Sequence, residues 1–394
     1  MTDFTYHSPT KIIFGKTSLR QVGAESRLCG SKALVVYGQG AVVRTGVYQR
    51  VVDSLSEAGV EVVPFGGVQP NPRLSLVEEG AVLCRSQRIP LVLAVGGGSA
   101  IDTAKAIAVA AALPEGIDFW EHCFLQWRQT SDALAVGVVL TIPASGSETS
   151  DACVITNEAT GEKRIASAPA MIPRFAILDP ETTYTLPPYQ TACGACDILA
   201  HLQERYFTPA RFNDLSDRLL EAAMGHVIQN APCVLREPAE YRWRAELMWA
   251  GTLAHNALFD RGRDGGDWAS HMVEHALSAR YDIAHGAGLS IIIPAWMKYV
   301  FPSCLDRFTQ YATRVWHIDL PLDDPATVAL AAIERLEQFY RGLGLPIRLS
   351  DAGLAVCDRD LEEMASSVAT DEFKVGSILP LGSDDVLKIL RLAL

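Results

Sequence analysis

A change of period near Pro187 constrains this chain more than any other feature. Before it, short β-branched runs alternate with helical patterns. Residues 11–14, 33–36, 61–63, 91–95, 134–142 and 175–178 read as strands, and 45–58, 74–85 and 99–113 as helices. Residues 154–163 read as a hairpin turning at Thr160-Gly161. A strand–helix alternation of this kind buries both faces of a mostly parallel sheet. Beyond Thr185-Leu186-Pro187-Pro188 no convincing strand is found. Helices are predicted at 190–207, 213–228, 239–259, 267–280, 286–299, 304–315, 325–343, 359–368 and 384–393. The expected organisation is an α/β dinucleotide-binding domain over 1–187 and an all-α, metal-binding catalytic domain over 188–394.

At 394 residues, two domains are the natural expectation. With 49% hydrophobic and 20% charged residues, the composition is that of a folded enzyme. A net charge of −12 argues against nucleic acid and anionic membrane as partners. No apolar run reaches membrane-spanning length. The opening MTDFTYHSPTKIIFG lacks a basic-then-apolar leader, so a cytoplasmic location is expected. Nine cysteines, scattered and odd in number, fit a reducing compartment.

The helical half carries the first candidate chemistry. Residues 266–294 hold His271, His275 and His285. His271 and His275 are four apart and share one helix face. His285 lies past a turn, where a second helix begins. Upstream, Asp197 and His201 form another i, i+4 pair within CGACDILAHL, a stretch almost free of charge. A carboxylate and an imidazole on a buried face need a cation nearby. Asp197, His201, His271 and His285 therefore make a three-nitrogen, one-oxygen set for one divalent metal, zinc or iron(II). His275 remains over, close to the metal and free to move protons. Cys193 and Cys196 form a CxxC before Asp197 and read as packing thiols.

The α/β half carries the second. In Leu91-Val92-Leu93-Ala94-Val95-Gly96-Gly97-Gly98-Ser99 a buried strand enters a glycine turn and then a helix. Backbone amides of Gly97, Gly98 and Ser99 approach an anion closely there, and the helix N-terminus adds partial positive charge. Ser99 is the expected cap, with Asp102 and Lys105 in the first turns. Residues 141–149, TIPASGSET, form a second polar loop at a strand end, bringing Thr141 and Ser145. Ligands of doubly wound sheets collect beyond such ends. The loop Gly38-Gln39-Gly40 follows the second strand, where an acid would bind a ribose 2′-hydroxyl. It carries no acid and is followed by Arg44, a pattern that favours NADP(H) over NAD(H).

With these motifs assembled, the chain resembles the iron-containing (group III) alcohol dehydrogenases, nearest the NADPH-dependent aldehyde reductase and butanol dehydrogenase branch. The likeness runs through PTKIIFG, YGQG, VQPNP, GGGSAIDTAKAIA, TIPASGSET, LDP with YTLPP, and DWASHM…EH…H. It implies a Rossmann-like N-terminal domain and a helical C-terminal one, in a homodimer or larger assembly. It also implies Asp197, His201, His271 and His285 as metal ligands, with His275 beside them. Asn71, Gly97, Gly98, Ser99, Asp102, Thr141, Ser145 and Lys163 are implied to line the dinucleotide cleft. Where near relatives carry a hydroxyl residue, this chain has Ala41. The activity implied is hydride transfer between NADP(H) and a small primary alcohol or aldehyde. The alternative on the same plan is a dehydroquinate synthase-like or polyol-phosphate enzyme, which would want more basic residues near the metal than Arg261, Arg263 and Arg280.

Overall fold

The computed structural model describes residues 2–210, 213–263, 265–319, 321 and 324–394. It divides into two compact units. One comprises His7–Leu186 and Pro238–Asn256, the other Met1–Tyr6, Pro187–Glu237 and Ala257–Leu394.

The first unit is built on a parallel six-stranded sheet. In chain order its strands are β1 (Lys11–Phe14), β2 (Lys32–Gly38), β3 (Glu61–Val68), β4 (Leu91–Gly96), β5 (Ala135–Leu140) and β8 (Phe175–Leu178). They lie side by side as β1-β8-β5-β4-β2-β3. A hairpin of β6 (Ala152–Asn157) and β7 (Glu162–Ser167) stands apart from the sheet. Alternation within each strand separates two cores. Leu34, Val36, Val92 and Ala94 face one of them, which α4 (Leu74–Gln87) and α5 (Gly98–Ala112) cover with Val77, Ala81, Ile101 and Ile107. Ala33, Val35, Leu93 and Val95 face the other, covered by Val22 of α1 (Val22–Cys29) and Val51 and Leu55 of α3 (Val47–Glu57). Burial on both faces is why these strands read as unbroken apolar runs. Truncating Leu93, which is fully buried, would cost about 2–5 kcal/mol.

Chain order turns back at one place in the sheet. β2 leads outward to β3, and β4 returns on the other side of β2. Gly38, Gly96 and Leu140 finish neighbouring strands at one edge. A crevice outside the carboxyl ends is expected at such a switch point.

The second unit is helical among the described residues. Its helices are α6 (Pro188–Tyr206), α7 (Asp214–Arg236), α9 (Ala269–Tyr281), α10 (His285–Val300), α11 (Leu305–Arg314), α12 (Pro325–Gly342), α13 (Asp358–Val368) and α14 (Ser383–Leu392). Every residue of α6 from Thr191 to Tyr206 is buried, which accounts for its low charge. No helix is long and apolar enough to cross a membrane among the described residues.

Three expectations are corrected. The split is not one cut between 1–187 and 188–394. The predicted helix at 239–259 is α8 (Tyr241–Ala254), and it belongs to the sheet unit. Met248 sits in that unit's core, and Thr252 Oγ1 donates to Glu148 Oε1 at 2.6 Å. The first residues join the helical unit instead, where Thr2 N donates to Gly262 O. Second, α5 is entered from Gly97, so Ser99 lies inside the helix rather than at its cap. Third, the predicted helix over 45–58 is shorter. Gly46, at φ +78°, separates α3 from the short α2 (Ala41–Arg44).

Candidate active site

Four predicted metal ligands converge in the helical unit. Asp197 and His201 project from α6, His271 from α9, and His285 is the first residue of α10. Asp197 Oδ1 lies 3.2 Å from His201 Nδ1, 3.9 Å from His271 Nε2 and 3.8 Å from His285 Nε2. Candidate ligand atoms of Asp197, His201 and His271 all fall within 4.8 Å of one another. His275, one turn after His271, has its ring 5.6 Å from that of His285. It groups with Glu274 and His285 rather than with Asp197.

The helices approach closely because the sequence leaves room. A Cβ on Gly286 would fall 2.1 Å from the Cys193 carbonyl oxygen, so only glycine lets the start of α10 meet α6. A Cβ on Gly288 would come within 2.5 Å of Glu274 Oε1. His285 is thereby set beside Asp197.

Around these rings lies a layer of acids that sequence reasoning missed. Glu204 Oε1 accepts from His271 Nδ1 at 2.9 Å, from the His271 backbone N–H and from Ser270 Oγ. Glu204 Oε2 accepts from the Trp268 N–H at 2.7 Å. Glu274 Oε2 accepts from His285 Nδ1, and its Oε1 from Ser278 Oγ. His201 Nδ1 is held by the Asp197 carbonyl at 2.9 Å. One step further out, the Asp267 N–H donates to Glu204 O. Asp267 Oδ2 in turn accepts from the N–H groups of Ser377 and Ile378 at 2.8 and 2.9 Å. The available signal was spacing: Glu204 follows Asp197 by seven residues, on the same face of α6.

Charge follows this layout. Burial alone would raise the Asp197 carboxyl. The imidazoles of His201, His271 and His285 outweigh it and hold the group well below the usual carboxylate range. Burial would lower His271, but bonds to Asp197 and Glu204 hold it at about 9. Burial lowers His201, ahead of the opposing pull of Asp197. Asp197 Oδ1 and His271 Nε2 are nevertheless buried without a hydrogen-bond partner of good geometry. Partnerless acceptor and nitrogen atoms facing one point fit a cation, and three imidazoles with one carboxylate suit a divalent transition metal. The neighbouring Cys193 and Cys196 are free and buried, and burial pushes the Cys193 thiol to about 12 and Cys196 well above the ordinary value. They pack.

The predicted nucleotide residues gather in the sheet unit. A Cβ on Gly97 would meet the Ile142 side chain at 2.8 Å, and one on Gly98 would meet Ser145 Oγ at 2.6 Å. The glycine turn and the 141–149 loop are therefore in contact, with Thr141 N donating to Gly96 O. The Ser99 carbonyl accepts from Thr103 Oγ1. Asp102 accepts from Ser147 Oγ at 2.6 Å and Val154 N at 3.0 Å; burial raises its carboxyl despite Lys105. Lys105 is fully buried, and its Nζ donates to Ser147 Oγ, Ser150 O, Ser150 Oγ and Ala152 O. Asp102 and Lys105 thus tie α5 to the loop before β6 and to β6 itself. Lys163 Nζ donates to Asn71 Oδ1 at 3.0 Å. Gly38 ends β2, Gln39 follows, and Gly40 precedes α2 at φ +99°. Arg44 Nη1 folds back to 3.4 Å from where a Gly40 Cβ would stand.

Comparison with known proteins places this geometry in a family. Residues 9–180 match the model for iron-containing alcohol dehydrogenase, and 191–394 the model for the C-terminal part of the Fe-containing alcohol dehydrogenase family. The probable NADH-dependent butanol dehydrogenase 2 of Bacillus subtilis is 41% identical over 397 residues, covering 100% of both chains. The NADPH-dependent aldehyde reductase YqhD of Escherichia coli is 39% identical over 354 residues, covering 90% of each. The crystal structure of NADH-dependent butanol dehydrogenase A from Thermotoga maritima superposes with a TM-score of 0.94 at 38% identity, covering 100% of this chain and 99% of that one. Relatives of this kind do not favour the dehydroquinate synthase-like alternative. The chain belongs to the iron-containing alcohol dehydrogenases, and is an alcohol and aldehyde oxidoreductase that works with a divalent metal and a nicotinamide nucleotide.

Proposed function

We propose that the protein transfers hydride between NADP(H) and a small primary alcohol or aldehyde, with one iron(II) or zinc held by Asp197, His201, His271 and His285. The observation that carries this reading is the convergence of three imidazoles on Asp197 Oδ1, a buried oxygen with no hydrogen-bond donor of its own. When bound, the metal supplies Lewis-acid polarisation of the substrate oxygen and the nicotinamide supplies the hydride.

The chain's own residues supply position and charge. Backbone amides of Gly97, Gly98 and Ser99 at the start of α5 receive the diphosphate. Thr141 and Ser145 line the same cradle from the next strand. Asn71 and Lys163, already bonded to each other, offer a polar pair for the nucleotide. Gly38, Gln39 and Gly40 would leave the ribose 2′ position free of negative charge, and the Arg44 guanidinium is folded back over Gly40. Asp102 keeps the cradle in shape through Ser147 and Val154. His275 delivers or removes the substrate proton through Nε2, the ring nitrogen opposite the fully buried Nδ1.

Two variants test the reading together. Elemental analysis of His285→Ala should find most bound metal gone. His275→Asn should keep its metal yet lose roughly 10²-fold in kcat for aldehyde reduction. Full metal in the first variant defeats the ligand assignment, and unchanged kcat in the second leaves His275 without a part in proton transfer.

A further inference from the structure

We propose that Glu204 and Glu274 are a pair of positioning residues that orient His271 and His285 and make those rings stronger donors to the metal. The inference rests on the metal site proposed above. Both acids are buried, at 2% and 0% exposure, Glu204 in the last turn of α6 and Glu274 in the middle of α9. Bare carboxylates in such places are costly unless each lone pair is engaged. Each engages the same atom of a different ligand: Glu204 takes His271 Nδ1 and Glu274 takes His285 Nδ1. The other ring nitrogen, Nε2, then faces Asp197 in both cases. A carboxylate only accepts, so it keeps the proton on Nδ1 and leaves the Nε2 lone pair for the metal.

Each acid is itself fixed. Ser270 Oγ and two backbone N–H groups hold Glu204, and Ser278 Oγ holds Glu274. Gly288 leaves the space that lets Glu274 reach α10. The third imidazole is treated differently. His201 Nδ1 meets the backbone carbonyl of Asp197 at 2.9 Å and the carboxylate of the same residue at 3.2 Å, so no second acid is assigned to this ring. Hydrogen-bonded carboxylates of this kind raise the basicity of a ligating imidazole, and their loss weakens metal binding by 10–100-fold.

Glu204 has a competing explanation, because it accepts from the Trp268 and His271 amides and so caps α9. A cap would affect folding but not the metal's ligand field. The experiment is a Co²⁺ titration of metal-stripped wild type, Glu204→Gln and Glu274→Gln, followed by visible ligand-field absorption, with circular dichroism of each metal-free protein alongside. Wild type should take up one equivalent, and Asp197→Ala none. Each Gln variant should bind Co²⁺ about 10–100-fold more weakly, with a changed absorption spectrum and an unchanged helical signal. Should Glu204→Gln fail to fold, Glu274→Gln carries the test. Wild-type affinity and spectrum in the folded Gln variants would overturn the proposal. Failure of wild type to bind Co²⁺, or undiminished binding by Asp197→Ala, would instead overturn the metal assignment on which it rests.

Discussion

At the scale of single residues, the proposed use of NADP(H) rests on a side chain that is missing. An acid at the end of β2 would bond a ribose 2′-hydroxyl and repel a 2′-phosphate, and this chain has Gly38 there. The position has room for one, since a Cβ on Gly38 would make ordinary contact with Val68 O at 3.5 Å. Wild type is therefore expected to show higher kcat/KM with NADPH than with NADH. Gly38→Asp should lower the NADPH value at least about tenfold while leaving NADH usage in place. A wild-type preference for NADH in the same absorbance assay would sink the reading of this loop. Ligand-type residues were legible in the sequence because Asp197 and His201 stand alone among apolar neighbours. Glu204 and Glu274 were not, because one glutamate on a helix reads as a solvated side chain until the packing around it is known.

Among the elements, the β6–β7 hairpin does more than its two strands suggest. Glu158, in its turn, accepts from the Leu74 and Ser75 amides and from Ser75 Oγ, and so caps α4 from eighty residues away in sequence. Burial would raise its carboxyl, but the bonds from Ser75 and Leu74 outweigh that and lower it. A lowered carboxyl contributes stability above its unfolded value, and the contribution disappears as pH falls through the folded one. Glu158→Gln should destabilise by about 0.3–1 kcal/mol at pH 7. In urea melts, that gap should narrow as pH drops toward and below about 4.3. A gap independent of pH would mean that the charge contributes nothing. The hairpin itself was legible from its turn residues, and so were the six sheet strands. The small helix α1 and the π-helical turn Trp120–Leu125 were not, since short segments carry too few periods to register.

For the whole molecule, sequence order is a poor guide to which unit a segment joins. α8 reads as one more helix among helices, yet Met248 and Thr252 bind it to the sheet unit, a choice made by tertiary partners that no local pattern encodes. Metal and nucleotide should accordingly leave different footprints. Stripping the metal should speed amide exchange on α6, α9 and α10 by up to about 100-fold, measured against protein held at 100 times the metal Kd. Exchange on β2, β4 and α5 should not follow, and equal loosening of both sets would contradict a metal held by the helical unit alone. The bond between Asp267 and the amides of Ser377 and Ile378 adds a matter of timing. Chains are made from the N-terminus and their early parts begin to fold first. All four candidate ligands leave the ribosome before the residues that steady Asp267, and through it the backbone of Glu204. The pocket can assemble during synthesis, but its outer brace is translated only after every ligand, so a nascent chain stalled before Ser377 would hold every ligand and still lack the finished cage.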